Sequence, residues 1–141
     1  VIAVLAAARV AIVGATLVGS GPEPAVIRDG IVVADGGRIV AVGERAFVPL
    51  PKGVPLVDGR RLWLVAAREE DARTVADGPP GPLTLAELTR RLAAAARAAG
   101  RTPASLVPGG AADLVLLEAD PLADARNLRR VRQALKAGAL P

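Results

Sequence analysis

The sequence predicts a mainly β domain, β-sandwich-like and built from both chain ends, with roughly six to nine strands and one main α-helix at about Thr84–Ala99. Three features carry that expectation. Short apolar runs closed by glycine turns fill the first half, a helix-start signature stands at Thr84, and apolar strand patterning returns after Pro108.

Arg9 to Gly19 (RVAIVGATLVG) is rich in β-branched residues and closes on Gly-Ser-Gly-Pro, a strand ending in a turn. Asp35-Gly36-Gly37 then sits between two apolar runs. Glycine supplies the positive φ of a tight hairpin turn, so Ile31–Ala34 should pair antiparallel with Arg38–Val42. Asp29-Gly30 predicts an earlier turn of the same kind. Pro49, Pro51 and Pro55 mark a loop or edge segment, and two short strands, Pro55–Val57 and Arg61–Val65, flank Asp58-Gly59. The first half therefore holds about five or six short strands.

The middle changes character. Ala66–Ala76 fits a short helix, and Asp77–Pro82 is a Gly/Pro linker that admits no regular structure. Thr84 and Glu87 stand in the S/T-x-x-E relation of a capping box, followed at helical spacing by Leu85, Leu88, Leu92 and Ala95 or Ala96. Gly100 should end that helix, and Thr102–Ser105 offers a further short turn. Leu114–Leu117 reads as a strand buried on both faces and stopped by Asp120-Pro121. A loop containing Asn127 leads to a final strand, Arg130–Lys136. The whole divides into strands at 1–66, a helical turn and linker at 67–83, and helix plus strands at 84–141.

Composition narrows the chemistry. The chain has no Cys and no His, which removes disulfides, thiolate nucleophiles, the usual neutral-pH base and the commonest N and S metal ligands. Only Trp63 and Phe47 are aromatic, so Val, Leu, Ile and Ala must fill the core. The net charge of +4 is small. Arg90–Arg91 and the group Arg129, Arg130 and Arg132 read as solvated faces, and with no aromatic residues among them bases have nothing to stack on. Nucleic acid is not an expected partner. Val1 to Ala8 are apolar but too short to span a bilayer. They read as a tail or first strand, with a cleaved secretion signal as the alternative; a soluble and preferably cytoplasmic protein is expected, not a membrane one.

No residue earns a catalytic, cofactor or metal role. Glu69, Glu70 and Asp71 are the dense acidic group, read as a solvated turn because adjacent helical positions do not share a face. Thr16 and Ser20 lack any histidine base. Gly14, Gly19 and Gly21 lack the lysine-serine ending of a phosphate loop and are read as turn glycines. Asp113 and Asp120 flank the buried strand and should tie down its ends by hydrogen bonds.

Both β-rich ends resemble amidohydrolase-superfamily sequences, nearest to the imidazolonepropionase-like and Xaa-Pro dipeptidase-like branch. The residues carrying this are VAIVGATLVGSGPEPAVIRDGIVVADGGRIVAVG with VPLVDGRRLWLV, and LTLAELTRRLAAAARAAG with VPGGAADLVLLEADPLADARNLRRVRQALKAG. The resemblance implies the small β-sandwich domain of such an enzyme, with the second block supplying the last barrel helix and the strand returning to the sandwich.

The departures concern the active site. In the family, the strand matching Arg61–Val65 leads to a His-x-His pair that begins a metal site on a (β/α)8 barrel, with zinc or another divalent ion. Here the chain runs on through Ala66-Ala67-Arg68-Glu69-Glu70-Asp71. The family's Pro-Gly-Lys-x-Ala-Asp motif stands as Pro108-Gly109-Gly110-Ala111-Ala112-Asp113, without its lysine, and Lys52 and Lys136 fall in sandwich-like segments. A barrel of this type takes about 200 residues or more, whereas fewer than 20 separate Val65 from Thr84. The expectation is a non-catalytic structural domain with no cofactor. Two alternatives stand beside it. One is an incomplete view of a metal-dependent hydrolase of amide or related bonds. The other is an interaction module, forming a homo-oligomer or holding a protein partner through the apolar surface that a barrel would have covered, with Leu92 on the main helix as the position that tests it.

Overall fold

β1 (Arg9–Val18) is the strand from which the sheet extends in both directions, in a computed structural model that describes residues 9–19 and 24–137. On one edge it pairs antiparallel with β2 (Val26–Asp35). On the other it takes two parallel partners end to end: β4 (Leu56–Asp58) against Ala11–Val13 and β5 (Trp63–Ala66) against Thr16–Val18. With β3 (Arg38–Glu44), β6 (Leu114–Leu117) and β7 (Val131–Leu135), the order is β3-β2-β1-β5-β6-β7, with β4 beside β1. The result is mainly β: one mixed seven-stranded sheet, open rather than closed into a barrel.

Side chains alternate across a strand, so Ile12 and Ala15 should face opposite ways. Both lie in one core cluster with Val10 and Leu17. Gly14 reconciles them: at φ +92° it is the extra residue of a bulge, where the register against β2 slips between Val13 and Ala15. It is a bulge glycine rather than a turn glycine. A second slip follows on β2, which places Asp29 at φ +49° and Gly30 under the side chain of Leu17. The turn expected at Asp29-Gly30 is therefore absent; β2 runs through it, and glycine is needed there because Leu17 fills the space.

The β2–β3 hairpin forms as the predicted antiparallel pair, with Asp35 opposite Arg38, Val32 opposite Val42, a register slip between Val33 and Ala34, and Gly36 and Gly37 at φ +61° and +82°. β4 and β5 do not pair with each other across Asp58-Gly59; each docks on β1 instead.

The sheet folds over on itself. Ile39 N–H donates to Gly110 O at 2.8 Å, Gly109 N–H to Ile39 O at 2.8 Å, and Ala112 N–H to Gly37 O at 2.9 Å. These bonds bring the lead-in to β6 against β3, at the far edge. One sandwich-like core results, with Ile12, Leu17, Val32 and Ile39 facing Leu64, Leu114, Leu116 and Leu135. Burying each such aliphatic side chain contributes about 1.5–3 kcal/mol.

The other face of β5 and β6 is covered by α1 (Glu69–Ala76), α2 (Leu85–Ala98) and a 3-10 helix at Ala125–Arg129. All four residues of β6 are consequently buried, as its unbroken apolar run predicts. Thr84 caps α2, its Oγ accepting from the Glu87 N–H at 3.1 Å, and Gly100 at φ +76° follows its end. These are the short helix expected within Ala66–Ala76 and the main helix expected at about Thr84–Ala99. The 3-10 helix occupies the expected Asn127 loop, and the turn expected at Thr102–Ser105 does not form. Leu92 faces the core at 8% exposure, so the helix face suggested for a partner is already occupied.

Candidate functional site

The cluster with the most chemistry lies where α1 begins. Arg68 precedes the helix, Glu70 and Asp71 sit in its first turn, Arg101 arrives just after α2, and Asp113 leads into β6. Arg101 Nη2 donates to Asp71 Oδ1 at 2.6 Å, while Arg101 Nη1 and Arg68 Nη1 each stand 3.7 Å from Glu70 Oε1. Arg68 Nε lies 3.6 Å from Asp113 Oδ2. Arg68, Asp71, Arg101 and Asp113, with Thr102 and Ala104, line a cavity of about 170 Å³.

The sequence reading of 69–71 as a solvated turn fails for Asp71. Helix periodicity turns Glu70 outward and Asp71 inward, leaving Asp71 6% exposed. Burial pushes its carboxyl above the ordinary aspartate range, against the opposing pull of Arg101. Glu70 moves the other way, lowered first by its own backbone N–H and then by Arg101 and Arg68. The chemical consequence is a pair of carboxylates turned toward guanidinium groups rather than toward a substrate. Arg101 Nη1 is itself buried without a hydrogen-bond partner among the described residues.

The remaining candidates are dispersed. Thr16 lies mid-strand in β1, its backbone N–H bonded to Leu62 O. Ser20 and Gly21 lie outside the described residues, as do Val1–Ala8, and Gly19 closes β1 through an N–H bond to Ala25 O at 2.8 Å. Asp113 and Asp120 do tie down the ends of β6, accepting from Ala137 N–H and Leu122 N–H at 2.9 Å each. Of the arginine groups, Arg91 reaches Glu87 and Pro79 O, Arg129 pairs with Asp77, and Arg90, Arg130 and Arg132 are exposed. Elsewhere on the surface, Arg60 hydrogen bonds lower Asp58 to about 2, and hydrogen bonds from Arg126 hold Asp124 well below the ordinary aspartate range.

A second cavity of about 210 Å³ lies between α2 and the ends of β1 and β5, walled by Val18, Val65, Leu88, Leu92 and Ala96 with Asp71 at its margin. Sequence reasoning missed Arg68 and Arg101 altogether. Nothing local marks an arginine as the partner of a carboxylate 30 positions away.

A metal site of the kind the resemblance implies does not fit these residues. The chain supplies no imidazole or thiolate, and among the described residues no three carboxylates converge on a point. No helix among the described residues is long and apolar enough to cross a membrane.

No family model matches the chain. An N-acyl-D-aspartate deacylase of Alcaligenes xylosoxydans xylosoxydans is 46% identical over 67 residues, covering 48% of this chain and 12% of that protein. Among solved structures, phenylurea hydrolase B is 33% identical over 59% of this chain and 18% of its own, with a TM-score of 0.35. A triazine hydrolase variant is 20% identical over 66% of this chain and 22% of its own, with a TM-score of 0.38. Overlaps this partial in space add nothing to the fold already described, and the chain spans only about an eighth of the curated relative's length. What the sequence match carries is a likeness of part to part: over about half its length the chain resembles amidohydrolase-superfamily enzymes.

Proposed function

We propose that this chain acts as a non-catalytic structural β domain related to metal-dependent amidohydrolases. The observation supporting this is the way the interval between β5 and α2 is built in. Leu83 N–H donates to Leu122 O at 3.0 Å, Ala125 N–H to Gly81 O at 2.9 Å, and Gly81 N–H to Asp124 Oδ1 at 3.2 Å. Ala72, Val75 and Ala76 of α1 and Leu83 are buried against β5, β6 and the 3-10 helix. The link that stands in place of a barrel is thus part of the core. Hydrolysis assays on amide, lactam and N-acyl amino acid substrates, with zinc or manganese supplied, should give no turnover. Turnover abolished by a chelator would replace this reading with that of a metal-dependent hydrolase acting on amide bonds, of which this chain is one piece; its 12% share of the deacylase favours that alternative.

A second reading, self-association, is favoured by a different face from the one the sequence suggested. Phe47 is 79% exposed and shares a surface hollow with Leu50, 47% exposed, against Val13 of β1 and Ile31 of β2. Exposed apolar clusters of this kind serve as contact surfaces. Sedimentation at rising concentration tests it: a species that stays at 14.3 kDa throughout removes this reading.

A further inference from the structure

Four Asp-Gly pairs occur in the chain, at Asp29, Asp35, Asp58 and Asp77. In such a pair the amide nitrogen of glycine reaches the aspartate Cγ with little hindrance, because glycine has no side chain. The fold treats the four unequally.

Three are held. Gly59 is buried and its N–H donates to Val13 O at 2.8 Å, while the carboxylate of Asp58 is clasped by Arg60 at 2.9 Å. Gly78 N–H donates to Val75 O at 3.1 Å, and Asp77 pairs with Arg129. Gly30 is buried inside the β1–β2–β3 ladder under Leu17, and Asp29 pairs with Arg45.

Asp35-Gly36 differs on two independent counts. Gly36 is exposed at the hairpin tip, and its N–H makes no hydrogen bond to any described residue. No atom outside its chain neighbours comes within 4 Å of where a Cβ would stand, so the peptide has room to rotate. Asp35 pairs with Arg9 at 2.9 Å much as the other three aspartates pair with their arginines, so these surface ion pairs do not separate the four sites; the unbonded, open Gly36 nitrogen does.

We propose that Asp35-Gly36 is a site of spontaneous backbone modification, through a succinimide to isoaspartate. The Gly36 nitrogen attacks Cγ of the protonated Asp35 carboxyl and a C–N bond forms. The Cγ–OH bond breaks, and the departing hydroxyl leaves as water with the amide proton. Water then adds to either imide carbonyl. Opening at Cγ restores aspartate; opening at the original main-chain carbonyl leaves the chain running through the side-chain carbon. Nothing is oxidised or reduced, and water is the only co-reactant. The product inserts one extra carbon between β2 and β3, at the turn that sets Ala34 opposite Ile39 in the core.

The test is to age the intact folded chain at neutral pH, map peptides by electron-transfer fragmentation, and count isoaspartate with an isoaspartyl methyltransferase. Product should accumulate at Asp35 several times faster than at Asp29, Asp58 or Asp77. In urea all four should react at similar rates. Asp35→Glu, which would need a strained-to-reach six-membered imide, should remove the product while keeping the melting temperature and circular dichroism. Equal rates in the folded chain, product that survives Asp35→Glu, or a folded chain inert at Asp35 while the unfolded chain reacts would each overturn the assignment.

Discussion

Arg101 and Asp71 are 30 residues apart in sequence and 2.6 Å apart in space, and their contact joins the segment after α2 to the first turn of α1. Asp71 is the one buried charged or polar residue in the described part of the chain. Replacing its partner, Arg101→Met, leaves a buried carboxylate without the guanidinium that donates to it. Breaking one side of such a pair should cost about 2–4 kcal/mol, read as a lowered urea midpoint with an unchanged m-value.

The same carboxylate gives a pH signature. Its folded-state pKa is raised, so in the window just above the ordinary aspartate value the folded chain binds more protons than the unfolded one. Stability from this group is then lost as pH rises through that window. Relative to Asp71→Asn, the wild type should lose stability as pH climbs from the ordinary aspartate range to the raised value, and the difference should flatten above it. Urea titrations of both proteins at several acidic pH values check the sign. A difference that grows in the wild type's favour with pH contradicts the burial argument.

Gly30 tests the packing account of the β2 bulge. A Cβ at this position would lie 2.4 Å from Leu17 Cγ. Gly30→Ala should therefore cost about 1–3 kcal/mol through overpacking, measured by denaturant unfolding. Gly36→Ala meets no such contact, and its cost should reflect only the strain of a positive φ.

Leu92→Glu and Phe47→Ser separate core from contact surface. Leu92 points from α2 into the core, so a buried, unpaired glutamate there should unfold the domain or lower its melting point sharply. Phe47→Ser should leave stability within about 0.5 kcal/mol and, if the chain self-associates through this face, shift sedimentation toward the monomer.

What the sequence revealed was local. The Asp35-Gly36-Gly37 hairpin needs only glycine's positive φ, the α2 start needs only Thr84 and Glu87, and burial of both faces of β6 is written in four consecutive apolar residues. What it concealed depends on how distant segments meet. The Gly14 bulge preserves a core parity that strict alternation would have broken, and the docking of β4 and β5 on β1 overrides the nearer hairpin option at Asp58-Gly59. The charged cluster was hidden for the same reason. Arg68 and Arg101 meet their carboxylates only once α1, the end of α2 and the approach to β6 have converged.

The placement of β1 between β2 and the β4/β5 pair also constrains the order of folding. β1 precedes all its partners in the chain, and β2 and β3 can zip onto one side of it almost at once. Its other side waits for β4 and β5, and β5 in turn waits for β6, which lies beyond both helices. Pairings closed over such long intervals are slow because loop-closure entropy precedes the reward of contact. A three-stranded meander raw along both β1 and β3 should therefore exist for a time on the ribosome, leaving β1 open to wrong pairing until β4 and β5 arrive and β3 until residues 109–112 do.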